Sequence, residues 1–85
     1  MPKKIENVPE DKAFWLCDGR VLRNLNDLSE ALKNMDKGVF DHHVNNEKND
    51  FSSWIRDVVG DDRLAKGLMK IKTVKGTLKK ISTKI

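Results

Sequence analysis

The chain has 85 residues, 38% of them hydrophobic and 35% charged, with a formal net charge of +4. That length gives one domain near the lower limit of independent folding, in which almost every apolar residue has to serve the core. The single cysteine, Cys17, excludes an intrachain disulfide or a cysteine metal cluster, and no apolar run of signal-peptide or membrane-span length is present, so a cytoplasmic protein is expected.

The charge is uneven. Residues 1–62 hold all 13 acidic residues, whereas residues 63–85 hold Arg63 and seven lysines with no acid among them. An acidic body is joined to a basic end.

In chain order, residues 1–12, with Pro2 and Pro9 among many charges, read as a flexible lead-in to a single domain over residues 13–85. "FWLCDGRVL" places two short apolar runs around Asp18-Gly19, a hairpin signal. A two-residue type I′ turn there pairs Leu16 with Val21 and Trp15 with Leu22. Asn24 and Asp27 make a capping pair ahead of an apolar stripe at Leu25, Leu28, Leu32 and Met35, which predicts a helix. Asp36 is the expected cap of a second helix bearing Val39, Phe40, His43 and Val44. Asp50 is the expected cap of a third, with Phe51, Trp54, Ile55, Val58 and Val59 on a wide buried face and Gly60 as its left-handed stop. Asp61 or Asp62 caps a fourth helix carrying Leu64, Ala65 and Leu68. A bend then leads to a basic C-terminal helix over residues 73–85, capped by Thr73 and weakened by Gly76 and its β-branched residues. The expected architecture is mainly α with minor β: an N-terminal two-stranded hairpin followed by four or five short packed helices.

The stretch "FDHHVNNEKNDFSSWI" has the look of chemistry. Its Asp41-His42-His43 triplet resembles the Asp-His-His motif of a family of metal-dependent phosphoesterases. Those enzymes need further aspartates on a much larger α/β domain, which this length cannot hold. Neighbouring helical positions point about 100° apart, which argues against His42 and His43 sharing one metal. His43 therefore reads as a hydrogen-bonded structural histidine, His42 as a surface residue and Asp50 as a cap. No catalytic residue, metal or cofactor is expected.

Two surfaces remain as binding candidates. Trp15, Arg20, Leu22 and Arg23 on the hairpin fit a protein partner, since tryptophan and arginine dominate interface energetics. Arg63, Lys66, Lys70, Lys72, Lys75, Lys79, Lys80 and Lys84 could follow a nucleic-acid backbone electrostatically, or form a solvated face whose apolar stripe docks on the body. Lysine in place of arginine, with no interleaved aromatics, argues against base readout. The lack of Trp or Phe in this segment disfavours a membrane surface. A non-enzymatic binding or regulatory module for an unidentified protein partner is the first reading and nucleic-acid binding the alternative. The residues specify no oligomeric state.

Taken as a whole, residues 14–68 resemble an uncharacterised prokaryotic domain family found largely in archaea. Its pattern runs F-x-L-x-D-G-x-x-I/L-x-x-L-x-x-L, then F-x-x-H-V, then N-D-F-x-x-W-I-x-D-V-x-G-D-x-x-L-A. The matches include Phe14, Leu16, Asp18, Gly19 and Leu22, then Phe40, His43 and Val44. Asn49, Asp50, Phe51, Trp54, Ile55, Asp57, Gly60 and Asp61 complete the last block. The resemblance implies a small, mostly helical module and no particular activity. His42 and the basic end fall outside the pattern.

Overall fold

A computed structural model of the chain describes residues 7–84. A short 3-10 turn, Glu10–Lys12, precedes strands β1 (Phe14–Trp15) and β2 (Val21–Leu22). Five helices follow: α1 (Leu25–Lys33), α2 (Lys37–His43), α3 (Asp50–Trp54), α4 (Asp62–Leu68) and α5 (Val74–Ser82). The chain is thus mainly α with a small antiparallel hairpin, as its sequence predicts. Ile85, the last residue of the expected C-terminal helix, and residues 1–6 of the expected lead-in lie outside the described residues.

The described part of that lead-in is tied to the body. The Val8 amide donates to the Arg23 carbonyl at 2.7 Å, and the Trp54 indole N–H donates to the Lys12 carbonyl at 2.8 Å. These bonds satisfy a buried indole and fix the entry of β1.

The hairpin register differs by one residue from the expected pairing. Phe14 faces Leu22 and Trp15 faces Val21. The Leu16 amide donates to the Arg20 carbonyl (2.8 Å), and the Gly19 amide to the Leu16 carbonyl (2.9 Å). The loop is therefore three residues, Cys17-Asp18-Gly19, with only Gly19 at positive φ (96°). A type I′ turn needs positive φ at both central residues, which Asp18 does not adopt. The physical reason lies in the core. The expected register would put Leu16 and Leu22 on opposite faces. The observed one puts Phe14, Leu16 and Leu22 on the same face, and a slip by one would reverse every side chain.

Helix α1 starts as expected: the Asn24 side chain accepts from the Asp27 amide at 2.8 Å, and Asp27 in turn accepts from the Arg23 amide at 3.0 Å. Its stripe is fully buried at Leu25 and Leu28. Asp61 and Thr73 cap α4 and α5 through the amides of Leu64 and Gly76. Asp36 stands at the N-cap of α2 without a side-chain bond.

The cap of α3 is a correction. Asn49, not Asp50, accepts from the Ser52 amide at 3.0 Å. Its amide group also donates to the Leu68 carbonyl at 2.9 Å, while Ser52 Oγ donates to the Ala65 carbonyl at 2.6 Å. These bonds clamp the start of α3 onto α4. After Trp54 the helix widens into a π turn, Ile55–Val59, closed by the Gly60 amide on the Ile55 carbonyl at 2.7 Å. Gly60 takes the left-handed stop with φ 86°. The wider turn shifts the helical phase, so Ile55 is fully buried while Val58 and Val59 are only half-buried.

Helix α5 packs on α1 and α4. Thr77 and Ile81 are buried, and Val74 and Leu78 lie partly buried against the same core. The basic end therefore docks through its apolar stripe.

Candidate functional site

The hairpin separates its candidate residues. Trp15 is 66% exposed, on the outer face of β1. Leu22, expected beside it at a binding surface, is 3% exposed and belongs to the core. This correction follows from the register: Leu22 pairs with inward-facing Phe14 and not with Trp15. Arg20 and Arg23 flank β2 in the chain and are already paired. Arg20 Nε donates to Asp18 Oδ2 at 2.9 Å, and Arg23 Nε to Glu10 Oε1 at 2.8 Å. The Arg20 side chain, helped by its backbone N–H, holds the Asp18 carboxyl below the usual carboxylate range. The Arg23 hydrogen bond and charge do the same for Glu10. A cleft of about 400 Å³ runs beside β2 and α1, lined by Arg20, Val21, Arg23, Asp27 and Glu30 among others.

On the opposite design, Arg63, Lys66, Lys70, Lys72, Lys75, Lys79 and Lys80 are exposed and Lys84 is half-buried. Lys66 lies 3.6 Å from Asp62, and Lys72 Nζ reaches the Asn45 carbonyl at 3.3 Å. Lys80 lays its aliphatic stem across Gly67, where a Cβ would come within 2.7 Å of the lysine Cε. The lysines thus decorate a docked helix and do not extend from the body. A second groove, about 410 Å³, opens between α2 and the start of α5, with Met35, Phe40 and Val74 at its base and Lys37, Lys72 and Lys75 at its edge.

Between hairpin and helices sits His43, 5% exposed. Its ring packs edge-on against Phe14 (5.1 Å between centroids) and beside Phe51 (5.5 Å). The Cys17 amide donates to His43 Nε2 at 3.1 Å. A backbone N–H can only donate, so Nε2 is the acceptor and Nδ1 carries the proton. Nδ1–H then donates to Asp50 Oδ2 at 2.9 Å, and Lys48 Nζ donates to the same oxygen at 3.0 Å. Partial burial, the strongest influence, raises the Asp50 carboxyl. The hydrogen bonds from His43 and Lys48, with the Lys48 charge, together outweigh it and hold the group below its ordinary value. His43 is the structural residue expected from the sequence. Its partner is Asp50, the expected cap of α3.

His42 is exposed, yet its ring centroid lies 4.9 Å from that of His43 at an interplanar angle of 83°. One ligand atom from each of Cys17, His42 and His43 lies within 4.8 Å of the others. Adjacent helical positions point apart, but at the last turn of α2 the two rings reach together, and the hairpin loop brings Cys17 beside them.

The model of the family DUF5752, a family of unknown function, matches residues 8–85. No curated protein and no solved structure gives a significant match to the chain. Among the described residues, no helix is long and apolar enough to cross a membrane.

Proposed function

Since the chain belongs to DUF5752, a family of unknown function, we propose from its surface that it is a non-enzymatic binding or regulatory module that engages a protein partner in the cytoplasm. The observation that carries this reading is Trp15, two-thirds exposed on a strand whose other face is locked into the core. An exposed indole on a rigid element loses little entropy on binding and is a common anchor in hot spots. Arg20 and Arg23, on either side of β2 in the chain, are pre-ordered by Asp18 and Glu10.

The test is capture of partners from nuclease-treated lysate of the source cell by immobilised wild type and Trp15→Ala. Specific proteins retained by wild type and lost in the variant support the reading. Equal capture by both sinks it.

A second reading, nucleic-acid binding through residues 63–85, is favoured by the outward placement of seven basic side chains on α4, α5 and the turn between them. It requires a gel shift with generic DNA or RNA at low salt that weakens steeply as salt is added. Absence of any shift at low salt removes it.

A further inference from the structure

Two imidazoles and a thiol meet where the hairpin tip folds over the end of α2. Cys17 opens the three-residue loop, and His42 and His43 end α2. We infer that Cys17, His42 and His43 form a three-ligand site for one divalent transition-metal ion, zinc by its ligand chemistry, with the fourth position open to solvent. The inference stands apart from the partner reading, because none of its ligands is needed for the Trp15 surface.

Three observations carry it. First, the donor set is one sulfur and two nitrogens, which suits zinc and excludes the hard cations that take oxygen. Second, the ligand atoms already lie within 4.8 Å of one another. Zinc–nitrogen and zinc–sulfur bonds of about 2.0–2.1 and 2.3 Å imply ligand separations of roughly 3.3–3.6 Å in a tetrahedron. Closing the remaining distance, up to roughly 1.2–1.5 Å, falls to the exposed His42 side chain and to the exposed Cys17 loop, whose amide has to swing off Nε2. Third, the least mobile ligand is already oriented. His43 donates Nδ1–H to Asp50, which Lys48 holds in turn. A carboxylate behind a histidine is the outer-shell arrangement of metal-binding histidines: it fixes the tautomer and directs Nε2 at the ion. Nε2 faces the Cys17 amide. On binding, the ion takes the place of that N–H on the lone pair, with no change of tautomer. Cys17 binds as thiolate and its proton goes to solvent. The ion would then pin the hairpin loop to the end of α2.

The test titrates the reduced 85-residue chain with Co²⁺ as an optical probe, then displaces it with Zn²⁺. The expected result is one ion per chain, with a thiolate-to-cobalt charge-transfer band and the intense visible bands of four-coordinate cobalt. The charge-transfer band disappears in Cys17→Ser. Zinc affinity falls more than tenfold in His42→Ala and roughly 10–100-fold in Asp50→Asn. Cys17 and His42 are exposed, so their variants keep the fold, checked by circular dichroism. The site is overturned if no charge-transfer band forms, if Cys17→Ser binds zinc as tightly as wild type, or if sizing shows one ion held between two chains.

Discussion

The hairpin and the lysine helix both sit on the surface, but they are built in opposite ways. The hairpin buries Leu16 and Leu22 beneath it, with Phe14 partly buried beside them, and turns one large apolar residue, Trp15, outward. Helix α5 buries its own apolar stripe and turns Lys75, Lys79, Lys80 and Ser82 outward. The first arrangement concentrates binding potential in one side chain on a rigid strand. The second spreads it over flexible lysines, each worth little alone and screened by salt. A local anchor suits a shaped protein partner. A diffuse charged face suits, at most, a polyanion read without sequence preference.

The contrast breaks most easily at the docking of α5. Ile81→Ala removes a fully buried side chain from the α1–α5 contact and should cost about 2–5 kcal/mol, read by urea denaturation. A loss near zero would mean that α5 projects. A smaller effect is expected at Asp50. Its folded-state carboxyl is held below its ordinary value, so it contributes stability that is present above about pH 4 and lost as pH falls through the depressed value. Asp50→Asn should flatten the acid limb of a stability–pH profile below about pH 4 and leave the alkaline limb unchanged. Asn49→Ala should cost more than Asp50→Ala at the start of α3, about 1 kcal/mol for the cap plus the lost bond to the Leu68 carbonyl. The smallest stability effect belongs to the candidate anchor: Trp15→Ala should lie within about 0.5 kcal/mol of wild type, as expected of an exposed side chain. Fluorescence quenching should at the same time lose its accessible component, leaving buried Trp54.

The helices were legible because their signals are local. Asn24 and Thr73 each precede an apolar stripe and cap it as read, Asp61 is the one of the pair Asp61 and Asp62 that caps α4, and Gly60 stops its segment in the left-handed conformation. Where two local answers compete, the fold decides. Asn49 and Asp50 both have capping side chains. Asn49 takes the cap because its amide can also donate to the Leu68 carbonyl, which a carboxylate cannot do, while Asp50 is drawn to His43. Asp18-Gly19 fits either a two- or a three-residue loop, and only the need to bury Leu16 with Leu22 selects the register. That slip moved Leu22 inward and left Trp15 outside. The π turn after Trp54 leaves no mark in the periodicity of Val58 and Val59. The meeting of Cys17 with His42 and His43 was the least legible, since it joins positions 25 and 26 residues apart through a loop whose register was itself unset.

The central comparison is tested most directly by residue-resolved NMR of the isotope-labelled chain added to nuclease-treated lysate of its source cell. The account predicts signal loss confined to the hairpin, residues 14–23, with α4 and α5 unperturbed. Signal loss confined to residues 63–84, with Trp15 unaffected, would contradict it.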